Sequence, residues 1–505
     1  MTMPSSTAAF HRLARVVFLL AAAIAAAGPL HAQQPLSLTG PPTGQRPEPL
    51  PRALTLDAVI DLAEARSEQI AIARFGVDRA AAGEQRARSE RLPQVAGAAS
   101  YDRTLKSEFS GIFSGGSSDG GFGGADLSEL PFGQPNAFRL NLVFSQALYA
   151  GGRIAAQQQL AAVGRTVADS SLRSARAQLV LDATQAFYDA ALTDRLVAIA
   201  EASLQQAEAI VAQVELAYKA GRSPEFEWLR ARVTRDNQRP NLIRARANRT
   251  LAYLRLKQLL EIPSAEPVTV DAELDDPTLA PPARFADQLA QVKAAPAAQT
   301  AAGRVPVQQA SSAVRAREAT LRIARAQRLP YVSLNSAFGE VAYAAAPGFD
   351  DWRTNWTVGA SMQIPIFTGG RLKAEEASAG ADLGEARARQ KLAVEIAEAE
   401  TEAVLAVLDA AVAAWQASAG TVEQATRAYE IADLRYREGI STQLELLDAR
   451  LVQQLAQVNR AQAARDVQVA RARVSLLPDL PLGGAAIDAA NSRSSAETGS
   501  GGGIR

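Results

Sequence analysis

The chain has 505 residues with 53 basic and 53 acidic side chains, and it is 48% hydrophobic but only 6% aromatic. It holds no cysteine, and its two histidines, His11 and His31, both lie upstream of Gln33. Beyond that point Ser-His-Asp and Cys-His nucleophiles, imidazole or thiolate metal sites and disulfides are excluded. The balanced charge leaves no basic footprint for nucleic acid, there is no P-loop phosphate motif, and no cofactor is expected.

Arg12 and Arg15 precede an apolar run from Val16 to Ala27, and Leu30-His31-Ala32 offers a small residue for cleavage. Residues 1–32 therefore read as a secretory signal peptide, and residues 33–53 as a Pro-rich extended arm. No later stretch of about 18 residues is free of charge or strong polarity, so any entry into a membrane is by strands.

Two copies of one pattern follow, at 54–262 and 285–477, joined by a linker at 263–284. Tyr149-Ala-Gly-Gly-Arg153 recurs as Phe367-Thr-Gly-Gly-Arg371, and Tyr218-Lys-Ala-Gly221 recurs at the same displacement as Tyr436-Arg-Glu-Gly439. Arg91-Leu-Pro and Arg328-Leu-Pro are farther apart than either pair, which places an insertion of the first copy between Pro93 and Tyr149. The Gly/Ser/Phe-rich stretch from about 106 to 135 holds it and is expected as a mobile loop.

Helical spacing runs from Leu54 to Arg91, with Thr55 as N-cap and Leu92-Pro93 as the break. The period then changes to two. Phe138, Leu140, Leu142, Phe144 and Leu148 share one face, and Trp356, Val358, Ala360, Met362, Ile364 and Ile366 share another. Each copy thus predicts one hairpin of apolar-out, polar-in strands, the pattern of an outer-membrane barrel. Four strands do not close a barrel, for which about eight is the minimum. Two chains would give eight strands and three would give twelve.

After each Gly-Gly-Arg junction (Gly151, Gly152, Arg153; Gly369, Gly370, Arg371) comes a stretch of about 65 residues nearly free of Pro and Gly, a rod on the order of 100 Å. Leu408, Trp415, Val422, Tyr429 and Tyr436 keep a seven-residue beat, as do Ala190, Val197, Leu204, Val211 and Tyr218, which implies supercoiled seams. The rods end at Gly221 and Gly439. Return helices then start at Ser223 as N-cap with Pro224 first in the helix, and at Thr442 with Glu445 closing a capping box. Pro240 is expected to kink the first return helix. Residues 478–505 read as a disordered tail.

The signal peptide, the duplicated order of helix, hairpin and long helical pair, the Arg-Leu-Pro breaks, the Gly-Gly-Arg junctions and the turns into Leu229-Arg-Ala-Arg232 and Leu447-Asp-Ala-Arg450 together resemble the TolC-type outer-membrane efflux family. The resemblance covers 54–477. It implies a mainly α fold with transmembrane β: a homotrimer sharing a twelve-stranded outer-membrane barrel continuous with a long periplasmic α-helical barrel. It further implies a passive exit duct for drugs, small molecules or secreted proteins, working with a periplasmic adaptor and an inner-membrane pump. Rings of carboxylates close the periplasmic end in this family. The matching positions are Glu445 and Asp448, three apart on one helix face, with Glu227 and Arg230 as their counterparts and Tyr436 at the rod's end. Arg230 puts a base where a second acid is expected and offers Asp448 a salt-bridge partner. Two other classes remain: a trimeric secreted coiled-coil structural protein or adhesin, disfavoured by hairpins that punctuate the rods, and a periplasmic carboxylate enzyme, disfavoured by the lack of a concave pocket.

Overall fold

The computed structural model describes residues 53–105, 136–344 apart from 273, 275 and 277, and 352–483. The expected signal peptide, the arm up to residue 52, the Gly/Ser-rich stretch 106–135 and the tail from 484 lie outside the described residues.

In chain order the elements are β1 (Ala53–Leu54), α1 (Leu56–Arg66), α2 (Glu68–Ser89), β2 (Gln94–Arg103), β3 (Asn136–Tyr149), α3 (Arg153–Lys219), α4 (Glu225–Leu259), β4 (Thr269–Val270), α5 (Ala283–Ala294), α6 (Ala297–Gly303), α7 (Val305–Ala326), β5 (Tyr331–Ala344), β6 (Trp352–Gln363), α8 (Arg371–Arg437) and α9 (Gln443–Leu476). Both rods, α3 and α8, have 67 residues, about 100 Å each, and each begins at the arginine of a Gly-Gly-Arg motif. The preceding helices α2 and α7 have 22 residues each.

Strands β2, β3, β5 and β6 form one antiparallel sheet in that order, leaving β2 and β6 as edges. Register joins the two hairpins into one apolar face. Gly97, Leu142, Phe338 and Trp356 make one row, and Val95, Phe144, Ser336 and Val358 the next toward the helices. Phe338 meets Trp356 edge-on, while the Trp356 indole N–H donates to Ser336 Oγ at 3.1 Å, so the ring's polar tip is satisfied on an otherwise apolar surface. The opposite face is polar. Ser333 and Ser361 hydroxyls lie 2.8 Å apart with Asn335 bonded to both. Gly339 leaves room for Asn141, whose Oδ1 would sit 2.6 Å from an added Cβ. Glu340 interrupts the apolar face between Leu140 and Thr354, about 30 Å along the strand from its helical end.

Two details of the strands depart from strict alternation. A register shift between Ala147 and Tyr149 displaces Leu148 and brings Tyr149 opposite Val332, so Leu148 does not continue the Leu142 face. The second copy's last strand stops at Gln363, before Pro365, which has no N–H to donate; Ile364 and Ile366 lie beyond it.

Each rod is flanked by two helices in tandem. Glu84 of α2 pairs with Arg165 near the start of α3, and Arg249 of α4 with Asp194 farther along. Likewise Glu318 of α7 pairs with Arg387 of α8 at 3.2 Å, while Arg460 of α9 lies over the Trp415 ring of α8 and donates to its carbonyl at 2.6 Å. Of the heptad residues Ala190, Val211 and Leu408 are buried, Tyr218 is exposed, and the others are partly covered. Among the described helices α8 is long and apolar enough to cross a membrane by length and composition, but it packs against α6, α7 and α9. Pro240 lies within α4, which continues past it to Leu259.

Thr55 caps α1, its hydroxyl accepting from Ala58 N–H. The expected single helix from Leu54 to Arg91 is broken at Ser67. There the backbone leaves helical geometry and the Ser67 hydroxyl accepts from Ile70 N–H at 3.4 Å, starting a new helix. The 263–284 segment is more than a linker. Strand β4 pairs in parallel with β1, so Ala53 belongs to the fold and not to the arm. Gln468 donates to the Ala280 carbonyl at 2.9 Å, Arg471 to that of Leu279, and Ser475 to that of Phe285 at 3.1 Å. The tail also begins later than its composition suggests. Pro478 carbonyl accepts from Val305 N–H at 2.7 Å, Leu480 is buried, and Leu482 packs on Ala301, Val307 and Ala397. Beside them the fully buried Arg304 reaches Glu400 at 3.1 Å and the Ala397 carbonyl at 3.3 Å.

The junction glycines give a direct test. Gly151 and Gly152 both have positive φ, but only at Gly151 would a Cβ collide, 2.7 Å from Leu329 Cβ and 3.0 Å from Ala326 O. Gly152→Ala should cost about 1–2 kcal/mol, the left-handed strain alone. Gly151→Ala should cost distinctly more, measured as the shift in denaturant midpoint.

Candidate gate at the helical tips

The ends of the rods are set by their last four carbonyls, which have no intrahelical partner. At Gly221 (φ 71°) the N–H bonds back to Tyr218 O and the next N–H, of Arg222, to Ala217 O; at Gly439 (φ 73°) the same pair runs to Tyr436 O and Arg435 O. This is the Schellman closure, which needs a left-handed residue and hence glycine.

The return helices start differently in the two copies. Thr442 is the N-cap of α9, accepting from Glu445 N–H at 3.4 Å. The Glu445 carboxylate does not complete a box; it lies 3.9 Å from Arg435, with both side chains half exposed, a contact worth little. In the first copy Pro224 takes the cap position with extended backbone (ψ 154°), and α4 starts at Glu225. Ser223 is thus one residue too early to cap. Its hydroxyl donates to the Glu227 carboxylate at 2.8 Å instead.

The two tips meet in one apolar cluster. Ile210, Val211 and Val214 of α3, Ala231 of α4 and Leu446 of α9 are buried together, with Trp228, Tyr429, Tyr436 and Leu447 packed around them. Tyr218 stacks on Trp228 at 5.5 Å, and Arg232 covers the Trp228 ring at 4.8 Å. Of the five expected gate residues, the structure brings Tyr436 and Glu227 together. Burial first, and then the negative charge of Glu227, raise the Tyr436 hydroxyl pKa above its ordinary value. Glu445 and Asp448 are exposed on α9, and Arg230 is partly covered on α4. No ion pair joins Arg230 to Asp448 among the described residues. None of the described groups of acidic side chains is arranged to hold a metal.

Two polar side chains at the tip were not singled out by spacing. Gln443 and Arg450 are 2% and 4% exposed on the covered face of α9, one heptad apart. Both amide atoms of Gln443, and Nε and Nη1 of Arg450, lack hydrogen-bond partners. Burial lowers the Arg450 pKa, with nearby Tyr429 opposing the shift. The signal was available: Arg450 closes the Leu-x-Ala-Arg motif, and 443 and 450 share one heptad position.

A family model described as outer membrane efflux protein matches residues 59–261 and 297–478. The chain is 26% identical over 279 residues to the pyoverdine export outer membrane protein OpmQ of Pseudomonas putida, a match covering 55% of this chain and 56% of that protein. It is 25% identical over 309 residues to nodulation protein T of Rhizobium leguminosarum, covering 61% and 62%. The matches therefore span between half and two thirds of these relatives' lengths. The solved structure of the outer membrane protein VceC from Vibrio cholerae superposes with a TM-score of 0.67 at 21% identity, covering 84% of this chain and 96% of that one.

An unpaired buried donor costs about 1–3 kcal/mol, and apolar replacement of buried charge is often stabilising. Arg450→Met should therefore raise the unfolding free energy by about 1–3 kcal/mol, whereas Trp228→Ala, which empties part of the same cluster, should lower it by about 3 kcal/mol. Chemical denaturation of the two variants reads both effects.

Proposed function

The chain belongs to the outer membrane efflux protein family, and from that membership we propose that it is a passive exit duct of the outer membrane, extending into the periplasm. The observation that carries the proposal is the sheet: four strands with one mainly apolar face, interrupted at Glu340, one polar face and two unpaired edges. In hydrocarbon every backbone N–H and C=O must be paired, so such a sheet is viable only when closed with its copies. Three chains give twelve strands, and the rods extend that wall as a helical tube. Its cargo is small molecules or proteins bound for export, in keeping with the pyoverdine exporter among its relatives. Energy comes from an inner-membrane pump reached through a periplasmic adaptor, and the channel itself performs no catalytic step.

At the far end of the tube the exposed carboxylates of Glu445 and Asp448, repeated in three chains, form the entrance ring, with the apolar cluster around Leu446 and Trp228 holding the two tips of each chain together. Charged rings of this kind select by sign.

Conductance of the purified protein in a planar bilayer tests the duct: discrete channels are expected, and none would reject it. Arg in place of Leu142 or Val358 should cost about 2–4 kcal/mol, read as loss of the heat-labile oligomer on a denaturing gel, while Arg in place of Asn141 or Ser361 should be accepted. Replacing Glu445 and Asp448 together by Ala should reduce cation selectivity, read as a shift in reversal potential under a salt gradient, with the oligomer intact. Asp448→Ala alone should give part of that shift.

A further inference from the structure

The Gly-Gly-Arg junctions hold more than the geometry of a joint requires. Glycine alone serves the left-handed turns at 152 and 370, whereas a cation as the first residue of a helix is disfavoured by the helix dipole. Both rods nevertheless begin with one, Arg153 and Arg371, and neither has an acidic residue in its first turn. Folding of the joint does not account for the pair.

The two arginines meet at one place. A groove of about 450 Å³, between the helical ends of β5 and β6, the end of α7 and the starts of α3 and α8, is lined by Arg153, Arg371, Gln327, Tyr331, Gln363 and Leu372 among others. No acidic side chain among the described residues lines it. The Arg153 guanidinium lies over the Tyr331 ring, 5.4 Å from its centroid, and that contact is all that engages it among the described residues. Arg371 gives one nitrogen, Nη1, to Glu375 at 2.6 Å and keeps its others. Glu376, the next acid along α8, is taken by Arg325 at 3.1 Å and Arg328 at 2.8 Å. The groove therefore presents donors in excess, and its positive charge is unanswered.

The register of the sheet says which side the groove opens on. Tyr331 and Gln363 are partners two residues along from Ser333 and Ser361, so they stand with them on the polar face. Lipid would meet the other face.

We infer that this groove is an anion-binding station in the wall of the duct, where Arg153 and Arg371 hold a carboxylate or phosphate of a small solute against the Tyr331 ring. The inference rests on the proposed duct and goes further in assigning the charge class of cargo that the wall retains. Guanidinium forks suit these groups because they bind them through two parallel hydrogen bonds. In three chains six such forks would stand at one level. The carboxylates of Glu445 and Asp448 do not cancel them, since about 100 Å of rod separates the two levels, against a Debye length of about 8 Å in physiological salt.

Citrate, a compact tricarboxylate, is the probe. The purified full-length protein in detergent should bind it by calorimetry, and in a phosphatidylcholine bilayer citrate added on the barrel side should shift the reversal potential toward cations as it neutralises the arginines. Arg153→Gln with Arg371→Gln should weaken both effects by about tenfold or more, with the heat-labile oligomer intact on a denaturing gel. Arg153→Lys with Arg371→Lys, which keeps the charge and loses the fork, should fall between. Arg353→Gln should change neither effect: it removes an exposed charge from the same polar face, about 30 Å along the strand. No citrate binding, or an equal loss in Arg353→Gln, would overturn the station. Binding without a change in reversal potential would overturn it as well, and so would displacement of citrate by phosphatidylglycerol added to the micelles, which would assign the groove to a lipid headgroup. Citrate binding by a protein that forms no channels would instead reject the duct, and the cargo role with it, while leaving the groove an anion site.

Discussion

Two rows of unpaired backbone groups, along β2 and β6, govern the rest of the molecule. Water can satisfy such edges on a soluble sheet, but hydrocarbon cannot, and each unsatisfied group there costs several kcal/mol. The apolar face that runs across all four strands through the rows at Gly97 and Val95 suits the sheet to the very solvent its edges forbid. On the proposed function, closure with other copies resolves the conflict. It also explains why the helices must be so regular: the rods continue from the strands through two-glycine junctions, so any error in their packing would be carried back to the strand edges.

The duplication meets this demand without making the copies identical. Glu84 with Arg165 holds α2 on α3, but at the matching place in the second copy Leu321 lies against the apolar group of Val314, Leu383 and Ala386. The tips differ in the same way. The first is fastened by Tyr218 stacked on Trp228, whereas the covered face of the second carries the unpartnered amide of Gln443 and two unpartnered guanidinium nitrogens of Arg450. Geometry was kept and chemistry diverged, as expected when each copy faces a different neighbour.

Much of this was legible in the sequence because the fold depends on residues with few substitutes. Only glycine suits the left-handed ends at 151, 221, 369 and 439, and strict alternation cannot be kept by a helix. What escaped notice depended on tertiary context. Nothing local distinguishes Ser67 from an ordinary polar helix residue, or shows that Gln468, Arg471 and Ser475 would pin the 279–285 segment. Pro224 taking the cap from Ser223 was a one-residue choice decided by backbone angle, and composition gave Pro478–Leu482 no sign of the groove that holds them. At the tip, spacing located the carboxylates Glu445 and Asp448, but the burial of Arg450 depends on α3 and α8 and was not readable from α9 alone.

The equal lengths of α3 and α8 have an evolutionary consequence. One inserted residue would advance a rod by about 1.5 Å and turn its downstream face by about 100°, misaligning its seam with the return helix and shifting one tip past the other. Only an insertion of whole heptads preserves the phase, and it must occur in both rods and both return helices to keep the turns level. The depth of the tube is therefore quantised: relatives that reach across a wider gap should differ from this chain by matched heptad blocks in four places, with single-residue changes confined to the loops.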